Sequence, residues 1–185
     1  SKIKGFNTDC EGFEKCIPNS LFKNISEKKC IVFGAGGSSK AVVESLYRNN
    51  VKDLTIVNRT LEKAQLISDK YKDTKIDIVD LKKKDILKNK IENSDLIVNT
   101  TSVGMSSGPS PNGNLIKGYK FKKNVTGIDL VYSPLTTPFL QSIKDSGGII
   151  VNGLDMLIYQ AQVGFKILTE KNCPFEIMKT ALKLN

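Results

Sequence analysis

The sequence contains no histidine, and that absence narrows its chemistry more than any residue present. Imidazole relays, Ser-His-Asp triads and His-ligated metals are excluded within these 185 residues, which leaves acid–base work to Lys, Asp, Glu, Tyr or Cys. Arginine is almost as scarce. Arg48 and Arg59 are the two present, and the formal charge of +9 rests on scattered lysine. Proteins that read nucleic acids rely on arginine forks and clustered aromatics. With 7% aromatics and neither cluster, no nucleic-acid partner is expected. The basic run Lys82-Lys83-Lys84 lies between Asp80 and Asp85, which fits a solvated helix face.

Long apolar runs are also missing. No stretch approaches the roughly 18 residues of a membrane span, and the first 16 residues lack the apolar stretch of a secretory signal, so a cytoplasmic location with no membrane partner is expected. Cys10, Cys16, Cys30 and Cys173 show neither CxxC spacing nor scaffold density; reduced thiols and no metal site are expected. Cys30 opens an apolar run and reads as core.

What is present is an alternation of short β-branched runs with longer amphipathic segments, the pattern of an α/β domain on a parallel sheet. The runs are 30–33, 54–57, 76–79, 96–99, 125–130 and 149–151, with helical patterns at 40–48, 61–71, 86–91 and 138–144. A Rossmann-like, doubly wound, six-stranded sheet in the order 3-2-1-4-5-6 is the economical arrangement. Outside that repeat lie a helix over 8–17, stopped by Pro18 and Asn19, and two C-terminal helices over 154–168 and 175–182. The chain therefore divides into a lead-in (1–25), a dinucleotide-binding domain (26–152) and C-terminal helices (153–185). The Gly- and Pro-rich stretch 106–114 reads as a mobile flap.

The sharpest local signal is Gly34-Ala35-Gly36-Gly37-Ser38, between the first strand and a helix. Small residues there let a phosphate approach backbone N–H groups at the helix N-terminus, although a tight βα turn without a ligand uses the same residues. Ser39 stands where the strict fingerprint has a third Gly or Ala. About 20 residues on, an NAD-specific fold places an acid on the ribose. Here the second strand runs into Asn58, Arg59, Thr60 and then Lys63. A guanidinium can bind a 2′-phosphate bidentately where a carboxylate would repel it, so NADP is expected over NAD. The alternative for Arg59 is an ordinary exposed residue at a helix start. Asn99 and Thr101 close the fourth strand and Tyr132 follows the fifth, all at the carboxyl edge where open α/β sheets bind ligands. Asn99 and Thr101 are candidates for the cofactor wall, with turn chemistry as the alternative.

Together the segments GFNTDCEGF, VFGAGGSSKAVV, VNRT, DLIVNTTSVGM, DLVYSPLTTPFL and GLDMLIYQAQVGF resemble the shikimate dehydrogenase family in order and spacing. The resemblance implies reversible hydride transfer between NADPH and 3-dehydroshikimate, on the route to aromatic amino acids. It implies that Asp9 is the catalytic aspartate, paired with a lysine, and that Thr8, Tyr132 and Gln160 contact shikimate. It also implies cofactor contacts at Gly34 to Ser38, Asn58 to Lys63, Leu130 and Gly153, with Met156 near the nicotinamide. Spacing adds that Met156 and Gln160 lie one turn apart on one helix face, though Gln160 could be a merely satisfied polar side chain. The family's substrate domain, with its carboxylate clamp and catalytic lysine, has no counterpart in these residues. An inactive cofactor-binding half, with that domain as its missing partner, is therefore expected. A quinate-using relative and a stand-alone NADP-binding module are the alternatives. Phe6, Phe13 and the final helix are candidates for exposed apolar surface, and a homodimer is a possible assembly.

Overall fold

The computed structural model describes residues 3–182; residues 1, 2 and 183–185, at the outer ends of the expected lead-in and C-terminal units, lie outside the described residues. Six strands, β1 (Lys29–Phe33), β2 (Asp53–Asn58), β3 (Ile76–Asp80), β4 (Leu96–Asn99), β5 (Thr126–Asp129) and β6 (Ile149–Val151), form one sheet ordered β3-β2-β1-β4-β5-β6. Every neighbouring pair is parallel. Parallel pairing demands crossovers, and covering helices then bury both faces. That is why β1, after the exposed Lys29, reads as an uninterrupted apolar run.

Alternation along β1 sends Cys30 and Val32 to one face and Ile31 and Phe33 to the other. The first face is covered by α1 (Asp9–Cys16), α3 (Gly37–Arg48), α4 (Leu61–Ser68) and α7 (Gly153–Thr169), through Phe13, Val42, Leu46, Ile67 and Met156 among others. The second is covered by α5 (Lys84–Glu92) and α6 (Pro138–Asp145), through Leu87, Ile91, Phe139 and Ile143. Thr137 caps α6 by accepting from the Leu140 amide, with Pro138 at the first helical position. α8 (Phe175–Ala181) packs beside α7. Among the described residues no helix is long and apolar enough to cross a membrane.

The structure corrects several expectations. α1 ends at Cys16, and Asn19 does not stop a helix but starts a single turn, α2 (Asn19–Phe22), in which Leu21 and Phe22 donate to the Pro18 carbonyl. Lys82 and Lys83 precede α5 and form a turn held by the Asp80 carboxylate rather than a helix face. Phe13 is fully buried between helices, so it belongs to the core and offers no surface; Phe6 is exposed as expected. The 106–114 stretch is a loop, as expected, and carries several hydrogen bonds at its ends. Ser106 donates to the Ser133 carbonyl, Gly104 to that of Ser110, and Asn114 to both Pro138 and Ser142. All four cysteines are free thiols, and Cys30 is core.

Candidate functional site

The sheet order reverses between β1 and β4, the place where doubly wound folds open a ligand crevice at the carboxyl ends of the strands. At that point Gly34 takes φ +110°, and a Cβ there would stand 2.5 Å from the Thr100 hydroxyl. Glycine is therefore required by backbone conformation and by space. Thr100 makes the wall because its hydroxyl and amide both donate to the Phe33 carbonyl, at 2.7 and 2.9 Å. Ser39 resolves the departure from the glycine fingerprint. It is fully buried and donates to the Gly34 carbonyl at 2.8 Å, so its hydroxyl is satisfied inside the helix–strand contact.

α3 begins at Gly37, earlier than the periodicity predicts, and no side chain caps its first turn. Its leading N–H groups are thus left for an external acceptor. A Cβ built on Gly36 or Gly37 meets nothing within 4 Å, so both glycines border open space that side chains would otherwise fill. Residues of this kind fit a pyrophosphate.

A cleft of about 190 Å³ adjoins that turn, lined by Asp9, Ser38, Leu130, Tyr132, Gly153, Met156, Leu157 and Gln160. Seven of these eight were singled out from the sequence, and they come from α1, α3, the segment after β5 and α7. Asp9 opens α1, its amide donating to the Asn7 side chain at 2.9 Å. α7 is seated by Asn152, which caps it by accepting from Leu154, and by the Gly153 amide donating to the Val131 carbonyl at 3.1 Å. Met156 and Gln160 then face the same cleft. Thr8 precedes α1 and is not among the lining residues. A larger groove of about 750 Å³, between α1 and the end of α7, holds none of the expected site residues.

The second strand's end lies apart from this cleft. The Asn58 side chain donates to the Thr60 carbonyl at 2.7 Å, shaping the turn that leaves Arg59, Thr60 and Lys63 exposed. Neither Arg59 nor Lys63 joins an ion pair among the described residues. Asn99 braces the loop that follows its strand. It is fully buried, donating to the Val103 carbonyl and the Asp129 carboxylate and accepting twice from Thr101. All four of its hydrogen-bonding positions are used, so its side chain holds the loop after β4. The Thr101 hydroxyl is committed to the same loop through Asn99 and the Val103 amide.

Asp129, which sequence reasoning passed over, is the hub of this layer. It is fully buried, and its carboxylate accepts from Asn99, the Val131 amide and Thr137, the last at 2.5 Å. Burial pushes its carboxyl up to about 6, against those three hydrogen bonds, which pull it down. The signal was its place one residue before Leu130 at a strand end. Among the described residues no group of three acidic, Cys or His side chains could hold a metal ion.

Two family models match the chain: Shikimate / quinate 5-dehydrogenase over residues 17–107, and Shikimate 5'-dehydrogenase C-terminal domain over residues 153–183. The chain is 36% identical over 177 residues to shikimate dehydrogenase (NADP(+)) of Streptococcus pneumoniae, covering 93% of this chain and 60% of that protein. It belongs to the shikimate dehydrogenase family. The fold agrees with family structures. Shikimate 5-dehydrogenase of Listeria monocytogenes, in complex with shikimate and NAD, superposes with a TM-score of 0.84 at 28% identity, over 95% of this chain and 62% of that one. Quinate dehydrogenase of Corynebacterium glutamicum, in complex with NAD, gives 0.83 at 27% identity, over 97% of this chain and 63% of that one. The chain spans about 60% of the length of the curated relatives it matches. As a shikimate dehydrogenase family member, it carries NTD, GAGGS and NRT motifs at the start of α1, the start of α3 and the end of β2.

Proposed function

We propose that this chain is the NADP-binding part of a shikimate dehydrogenase, acting in reversible hydride transfer between NADPH and 3-dehydroshikimate. The observation that carries the reading is the single cleft shared by Asp9, Tyr132, Met156 and Gln160 beside the glycine turn. A bare cofactor binder has no use for that carboxylate, phenol and amide together.

Gly34 to Ser38 and the open first turn of α3 hold the pyrophosphate, while Asn58, Arg59, Thr60 and Lys63 take the adenosine end and its 2′-phosphate. Leu130, Gly153 and Met156 wall the nicotinamide end and exclude water from it. When bound, the nicotinamide supplies or accepts the hydride. Asp9 serves the reacting substrate oxygen as one member of a Lys–Asp pair, and Thr8, Tyr132 and Gln160 contact and orient the substrate. The lysine and the carboxylate clamp of the family lie outside these 185 residues, in a partner substrate domain, so the lead-in 1–25, the sheet 26–152 and the helices 153–185 together make the cofactor half. The 185-residue chain alone is then expected to bind NADPH and to oxidise no shikimate, in a cytoplasmic setting.

The name of the Streptococcus relative specifies NADP(+), whereas the two structures described above hold NAD. Arg59 decides between them. Titration of the chain with NADPH and NADH side by side is expected to give tighter NADPH binding; equal affinity would overturn the assignment to NADP. The quinate alternative is supported by the likeness to quinate dehydrogenase, and assay of both acids with the complete polypeptide separates the two. Homodimer formation through Phe6 and the exposed Leu168 and Ile177 is checked by sedimentation.

A further inference from the structure

Asp9 sits on an eight-residue helix, too short to hold itself in place, and its position depends on what α1 packs against. Two contacts define that packing. Gly12 is buried against α7, where an ideal Cβ would stand 3.0 Å from both the backbone nitrogen and the Cβ of Gln160 and 3.3 Å from its Cα. On the other side the Glu14 carboxylate reaches α3, accepting from the Ser45 hydroxyl at 3.3 Å and from the Asn49 side-chain amide at 3.1 Å. Ser45 is fully buried and Asn49 caps the end of α3, its side-chain amide also donating to the Ser45 carbonyl.

We propose that Gly12 and Glu14 are positioning residues for the reaction: Gly12 sets the distance of Asp9 from Gln160 and Met156, and Glu14 fixes α1 against the helix that begins at the phosphate turn. The inference rests on the functional reading given above. α7 cannot yield easily, because its first residue already abuts the Leu130 carbonyl. A methyl at position 12 therefore displaces α1 by a few tenths of an ångström, carrying Asp9 with it. Misplacement of about 1 Å can cost about 100-fold in rate, so a several-fold loss is the scale expected here. Alanine is the better helix former, so Gly12→Ala does not weaken α1 itself. Glu14→Gln keeps the oxygen that accepts from Ser45 and Asn49, whereas Glu14→Ala removes it.

The test is steady-state shikimate oxidation by the complete polypeptide, varying shikimate and NADP separately. Gly12→Ala and Glu14→Ala should lower kcat/KM for shikimate several-fold, with the KM for NADP unmoved and Glu14→Gln near the parent. Unchanged kinetics, or equal losses for both substrates, overturn the proposal. Should the complete polypeptide without substitutions oxidise no shikimate, the functional reading fails on its own. Crystal structures of the parent and Gly12→Ala chains then decide the positioning role: a wider Asp9–Gln160 separation is expected, and an unchanged one overturns it.

Discussion

At the scale of single residues, the site divides into groups left free for a ligand and groups consumed by the protein. Arg59 is of the first kind, exposed and outside every ion pair among the described residues. A hydrogen bond to a charged partner contributes about 1.5–3 kcal/mol. Arg59→Ala is therefore expected to weaken NADPH binding about 10- to 100-fold and to leave NADH unaffected, as calorimetry of both cofactors would show. Asp129 is of the second kind. Its folded carboxyl titrates near 6, above the ordinary carboxylate value, because burial disfavours its charge. A raised acid pKa means that the native state binds the proton more tightly than the unfolded chain. Its stabilising contribution is complete below the ordinary value and is lost as pH rises toward about 6. Asp129→Asn should abolish that segment of the pH profile. Melting temperatures of both proteins across pH 4 to 7 test it, and parallel curves would refute it.

At the scale of elements, α7 shows how closely the substrate side is built. A Cβ on Gly153 would run into the Leu130 carbonyl oxygen, with Val131 C at 2.8 Å. Backbone offers no cheap way to yield, and overpacking of this sort costs about 1–3 kcal/mol or more. Gly153→Ala should lower the denaturation midpoint by a corresponding amount and weaken NADPH binding with it. The sheet order was legible because the strands are bounded runs rich in apolar residues and most are followed by an amphipathic crossover, although β4 reaches β5 without a helix. The one-turn α2 was not, since four residues carry no helical period. The start of α3 was placed late for a related reason: Gly37, Ser38 and Ser39 are weak helix formers, and the turn is fixed by the Ser39–Gly34 bond. The bracing role of Asn99 was left open beside a cofactor wall, because asparagine at a strand end looks alike whether it faces a ligand or braces a loop. Phe13 was misread because the sequence of α1 does not disclose that helices lie on both of its sides.

At the scale of the whole molecule, the surplus of lysine acquires a use without any nucleic acid. A chain of net charge +9 attracts polyanionic dinucleotides, and the attraction is screened by salt. NADPH carries a 2′-phosphate that NADH lacks, so its affinity should fall more steeply as ionic strength rises. Equal salt slopes for the two cofactors would count against a cationic 2′-phosphate site.

The packing of α1 on α7 also sets an order in time. During synthesis the phosphate turn leaves the ribosome with most of the sheet still to come, whereas Gly153–Thr169 follows every strand of the sheet. Asp9, translated before the sheet, must wait for Gln160, translated after it. A nascent chain arrested just after β6 would thus hold the pyrophosphate turn but no cleft, and the ability to bind cofactor would precede the ability to orient a substrate.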